Sequence, residues 1–308
     1  MNRPLSQRSS LPWLAAATAM LVTLLQHGPY LISLLTRANT DADEPVSRIA
    51  TLLLSLNSQW LSIGGLAFLI AQWHGERRRE VAFRRPWLLL LLFAGGLLLR
   101  VVMMVALYQL VLLKVIVDMN DASMSAMLIT FVNLPLDVLG TWLAWWVATR
   151  LCRKDVLALP PSPSLTLRAA GLMAWMLYTV LLIVASLIKP EAGSVTPDAP
   201  WTWLAIRVGL LVPAALAFTG ALIGLPRGLS AVRVGRLLAA STVAMVCSSL
   251  LFIGAGLSGA LLVPGWSDTS MMVLLGLLAF ALLLGCPFSY WLWSRIFYAS
   301  VRRAAASA

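Results

Sequence analysis

The chain is 308 residues long, 60% hydrophobic and only 11% charged, a composition far from that of a soluble globular domain and close to that of a protein lying mostly in a bilayer. Its 23 basic residues against 12 acidic ones leave a formal charge of +11, but they sit in short loops between apolar stretches, where such an excess sets orientation and meets anionic headgroups, and no basic domain suited to nucleic acid is present. The two histidines, His27 and His74, lie in different segments, and Cys152, Cys247 and Cys286 show no CxxC spacing, so no haem, metal or redox cofactor is expected.

Behind Arg3 and Arg8, the stretch from Leu11 to Leu35 is longer than a signal-peptide core and closes on no small-residue cleavage site, so it reads as a retained first helix. A polar segment, Thr36 to Arg48, carries Asp41, Asp43 and Glu44. The second helix is expected from Ile49 to Trp73, followed by the most basic loop of the chain, HGERRREVAFRRP, from His74 to Pro86. The third runs from Trp87 to Leu113 and holds Arg100 at its middle. After VIVDMNDAS the fourth covers Met124 to Thr149, and the basic RLCRKDVLALPPSPSLTLR, with its Pro/Ser connector Pro160 to Ser164, follows. The fifth is expected from Ala169 to Ile188, the sixth from Trp201 to Leu225, the seventh from Leu237 to Val263 and the eighth from Met271 to Trp293. Their connectors are KPEAGSVTPDAP, the basic PRGLSAVRVGR and PGWSDTS, and a basic tail closes the chain. Each segment reaches the roughly 20 residues that span a hydrocarbon core of about 30 Å.

The charges order these segments. With both termini cytoplasmic, 17 of the 23 basic residues fall on the inner side, Arg37, Arg48, Lys114 and Lys189 fall outside, and Arg100 and Arg207 lie within helices. Most tryptophans fall at expected helix ends, Trp13, Trp73, Trp87, Trp145, Trp146, Trp291 and Trp293 among them, where indole rings favour the headgroup level. The predicted fold is therefore an all-α integral membrane protein with eight transmembrane helices. Its segments divide into 1–150, a cytoplasmic linker 151–168, and 169–308. Landmarks recur about 150 residues apart, an interval compatible with two four-helix halves in parallel repeat. Only three of the basic residues are lysines, a bias that suggests a GC-rich bacterial genome and hence a bacterial inner membrane.

Two charges stand out. Arg100 lies about 20 Å from the inner end of its helix and Asp137 about 18 Å from the inner end of the next one, so the two share a depth. A buried arginine at a helix centre costs on the order of 2.5 to 3.5 kcal/mol on insertion scales, and an ion pair between adjacent antiparallel helices is the simplest way to insert both groups. Asn133, Asp137, Gly140 and Thr141 share one face of the fourth helix, while Gly95 and Gly96 permit close approach to the third. Gln26, His27, Asn57, Gln59 and Arg207 join Arg100, Asp137 and Asn133 as residues of the outer half or midplane, candidates for an ion or substrate pathway with the pair at its floor. Gly220 and Gly224 form a small-residue contact motif.

No Walker A, HExxH, GxSxG or CxxCH motif occurs, so no catalytic set is visible. The leading expectation is a small transporter or permease in which protonation of Asp137 weakens its pairing with Arg100. One alternative is an accessory or assembly subunit that binds another membrane protein. Another is a lipid-modifying enzyme with Arg100 or Arg207 on a phosphate. The expected surroundings are the bilayer and anionic lipids at the cytoplasmic loops.

Overall fold

The computed structural model describes residues 11–37, 45–78, 80–83, 85–107, 109, 122–152, 156–158, 165–187, 205–226, 229, 231–262 and 268–301. Asp41, Asp43, Glu44, Lys114, Lys189, the connector 160–164 and both chain ends lie outside the described residues. The elements in chain order are α1 (Leu11–Arg37), α2 (Pro45–Arg78), β1 (Glu80–Phe83), α3 (Pro86–Leu107), α4 (Ala122–Leu151), β2 (Val156–Ala158), α5 (Leu165–Leu187), α6 (Leu211–Gly224), α7 (Val234–Leu262), α8 (Asp268–Phe280) and α9 (Cys286–Phe297). Among the described residues, five segments are long and apolar enough to cross a membrane: Pro86–Leu107, Leu165–Ala185, Ala205–Gly224, Val234–Gly259 and Met271–Phe297.

Several helices run past the ends of their apolar stretches, and side chains one turn apart explain why. Residues 74–78, expected in a loop, continue α2. There Gln72 Nε2 donates to Glu76 Oε1 at 3.0 Å, and the Arg77 guanidinium lies 5.3 Å from the centre of the Trp73 ring. Such i,i+4 pairs support a helix where hydrophobic burial has ended. The last helix, expected to stop at Trp293, reaches Phe297, with Arg295 stacked 5.5 Å over Trp291 and the Tyr298 hydroxyl donating to Val232 O. The start of α5 likewise takes in residues 165–168 of the expected linker.

The basic loops after α2 and α4 are not irregular throughout, as their sequences suggested. They pair as an antiparallel ribbon, with Glu80 opposite Ala158, Ala82 opposite Leu157 and Phe83 opposite Val156, and an irregularity between Glu80 and Ala82. The expected all-α fold thus gains a two-stranded element. Strands of four and three residues are too short to show an alternating pattern, and an isolated two-stranded ribbon is marginal in water. This one is fastened by Phe83, which is buried in the helical core.

The chain divides into two compact units, Met1–Pro160 with Leu182–Ile206, and Pro161–Leu181 with Arg207–Ala308. In the first, α1 packs on α2, α3 on α4, α1 on α3 and α2 on α4, so the four helices close a ring in the order α1, α2, α4, α3. Their described core gathers at the end that carries the ribbon. Leu11, Ala15 and Ala19 of α1 meet Ala67, Ile70 and Ala71 of α2, Leu89, Phe93 and Leu97 of α3, and Ala144, Trp145 and Ala148 of α4. Gly96 lets α3 and α4 touch, since a Cβ on it would come within 2.8 Å of Ala144 Cβ, whereas Gly95 faces open space.

In the second unit α9 packs on α6 and α7, and α7 on α8. One turn of π-helix, Ala281–Gly285, joins α8 to α9, and a turn at Leu210 separates α6 from the helical residues 205–209. Gly220 and Gly224 seat α6 directly on the backbone of α9: a Cβ on Gly220 would run into Pro287 O, and one on Gly224 into Trp291 O. Neither carbonyl belongs to a flexible side-chain tip that could swing aside. Gly220→Ala should therefore lower the unfolding midpoint in detergent by the equivalent of about 1–3 kcal/mol of overpacking. Gly254→Ala, where an added Cβ meets nothing within 4 Å, should not, and thermal unfolding of the two variants beside wild type checks the difference.

Candidate functional site

The site is built on two facing stripes. On α3, Leu89, Phe93 and Leu97 recur at helical spacing and are fully or almost fully buried, and Arg100 follows on the same stripe. On α4 the corresponding stripe runs Ala148, Trp145, Ala144 and Thr141, all buried, and reaches Asp137. Two antiparallel helices in contact therefore bring Arg100 opposite Asp137.

The pair is made. Arg100 Nη1 donates to Asp137 Oδ1 at 2.6 Å, the length of a charge-assisted hydrogen bond. Gly140 provides the room: an added Cβ there would stand 2.6 Å from Arg100 Cδ and 2.7 Å from Cγ, so the arginine stem crosses α4 where α4 has no side chain. The two charges are unequally enclosed, with the arginine side chain 11% exposed and the aspartate 35%. Arg100 Nε and Thr141 Oγ1 are both buried with no hydrogen-bond partner among the described residues. The pair thus satisfies one donor of the guanidinium and one oxygen of the carboxylate, and leaves polar capacity on either side.

Below the pair the unit is closed. Phe93 and Trp145 meet edge to face with ring centres 5.1 Å apart at 86°, and both are fully buried. Trp145, expected at an inner helix end, lies on the same face of α4 as Asp137, Thr141 and Ala148 and points into the bundle, whereas Trp13 and Trp87 are exposed. Above the pair, Asn133, Val101 and Met104 are half-buried, and Leu134, Val102 and Met103 are exposed.

The other expected pathway residues are distributed unevenly. Asn133 stands one turn from Asp137 on the same face of α4. Gln26 is half-buried on α1, and the neighbouring His27 uses Nδ1 on its own helix, 2.8 Å from Thr23 O. Gln59 is exposed on α2, and the side chain of Asn57 lies outside the described residues. Arg207 belongs to the second unit, where its backbone oxygen accepts from Tyr178 Oη at 3.4 Å. Arg100 and Asp137 are thus brought into direct contact, Asn133 is placed beside them, and the outer residues of α1 and α2 are not seen bonded to the pair. Residues missed in the sequence are the aromatic plug, Phe93 with Trp145. Their signal was the i,i+4 spacing from Leu89 to Leu97 and from Thr141 to Trp145.

Removing either partner should be costly, and the unequal burial sets the order. Asp137→Asn strands the better-buried arginine and should cost about 3 kcal/mol, the low end for a broken buried pair. Arg100→Gln leaves a carboxylate that is one-third exposed and should cost less. The double variant should recover part of both losses. Reversible unfolding in detergent, read as a double-mutant cycle, measures the coupling.

Family models, curated proteins and solved structures were all compared with this chain, and none of them matches it.

Proposed function

We propose that this protein is a small transporter or permease of the bacterial inner membrane, with eight spanning helices, both termini cytoplasmic, and anionic lipids about its cytoplasmic loops. The observation that carries the reading is the Arg100–Asp137 pair, set above the packed rings of Phe93 and Trp145 and one turn from Asn133. Ionisable groups at membrane depth are functional by default, and a pair that engages one carboxylate oxygen of a partly exposed aspartate keeps that residue open to a proton or cation. Protonation of Asp137 removes its charge and with it most of the attraction to Arg100. Once released, Arg100 offers its donors to an anionic group, and α3 and α4 lose the main polar tie between them. Binding and helix movement are then linked through one residue.

The orientation is supported from two sides. The loops after α2 and α4 carry the densest basic sequence, and their pairing as β1 and β2 sets both at one end of the first unit. A positive-inside bias assigns that end to the cytoplasm. In this orientation the Phe93–Trp145 contact lies on the inner side of the pair and Asn133 on the outer approach to it, as in an outward-open carrier.

Cysteine accessibility tests the reading. In a background with Cys152, Cys247 and Cys286 replaced by serine, Asn133→Cys should react with an impermeant thiol reagent applied from the periplasmic side. Thr141→Cys, below the pair and fully buried, should not. In proteoliposomes under an imposed pH gradient, wild type should pass a proton-coupled current that Asp137→Asn abolishes while remaining folded. Labelling of Asn133→Cys only from the inner side, or a current unchanged in Asp137→Asn, would sink the proposal.

A further inference from the structure

The same small arrangement recurs at three helix ends. Trp73 and Arg77 close α2, Trp146 and Arg150 close α4, and Trp291 and Arg295 close α9, each pair four residues apart. In each, the guanidinium carbon lies over the indole ring, at 5.3, 4.8 and 5.5 Å from its centre. In each, the tryptophan is half-buried and the arginine exposed. Two of the pairs belong to the first unit and one to the second.

We infer that these Trp-x-x-x-Arg pairs are binding points for the phosphate of anionic phospholipid headgroups. An indole at a helix end favours the headgroup level, where lipid phosphates lie. A guanidinium lying over an indole still has N–H groups to offer, and its fork matches a phosphate in a two-point contact. Holding the arginine in place beforehand removes much of the side-chain entropy that a flexible surface residue loses on binding. The backbone gives no help, because the C-terminal end of a helix carries partial negative charge and repels phosphate. The arginine must therefore both neutralise its helix end and supply the donors. A guanidinium that served its own helix alone would leave stability indifferent to the lipid, which separates the two roles. The inference rests on the chain spanning a bilayer and holds whether or not it transports.

The test uses the full chain in mixed phosphatidylglycerol and phosphatidylcholine, with bound lipids counted by native mass spectrometry. Each stacked arginine should contribute about fivefold to the preference for phosphatidylglycerol. The variant R77Q/R150Q/R295Q should lose that preference, and R77K/R150K/R295K should keep only part of it. Replacing the rings instead, in W73L/W146L/W291L, should weaken it with the charge intact. The control R79Q/R84Q/R85Q removes as many positive charges from the adjacent loop and should leave most of the preference. Equal losses in the control and in R77Q/R150Q/R295Q would mean diffuse attraction by the loops and would overturn the proposal, as would a preference that survives in R77Q/R150Q/R295Q. Single glutamine variants, made at exposed positions, give the same reading if a triple variant is too unstable to purify.

Discussion

The first unit depends on the hydrogen-bonded contact between Arg100 and Asp137. An arginine midway along an apolar helix is tolerated in a bilayer only with a partner, and the nearest acid at the same depth lies on the adjoining helix. Meeting that need fixes the register of α3 against α4. Gly140 must face the arginine stem, Gly96 must face Ala144, and the aromatic rings of Phe93 and Trp145 then meet edge to face beneath. Shifting either helix by one residue would turn a glycine away and put a side chain where the arginine crosses. The polar contact and the apolar packing are therefore two consequences of one alignment.

The described core is concentrated between the ribbon and the pair, where small residues such as Ala15, Ala19, Ala67, Ala144 and Ala148 let the four helices approach closely. Beyond it the aspartate is left one-third exposed. The carboxylate is the more accessible partner of the pair. The second unit uses different means: α6 lies on α9 through two glycines, and a π-helical turn next to Pro287 interrupts the rod formed by α8 and α9. Backbone groups freed in such a turn are tolerated in a bilayer only where protein surrounds them.

The ends of the helices follow other rules from their middles. At the ends of α2, α4 and α9, an arginine one turn after a tryptophan lies over its ring. The ribbon then ties the loop after α2 to the loop after α4, with Phe83 as its anchor in the core.

The sequence by itself determined the helical segments and their order, because the need to fill a hydrocarbon thickness leaves a long apolar run that is readable without any partner. It also determined the pairing of Arg100 with Asp137, since depth along a helix is a matter of counting residues and a lone charge at that depth has few options. Only the tertiary structure decided what depended on which face of a helix meets which neighbour. Trp145 faces inward because it shares a stripe with Asp137, a matter of which face meets a neighbour. Gly96 packs and Gly95 does not because they point 100° apart on one helix. The ribbon, the π-turn and the overrun of α2 and α9 were equally hidden. Each arises from contacts between short or distant stretches, whose local composition carries no periodic signal.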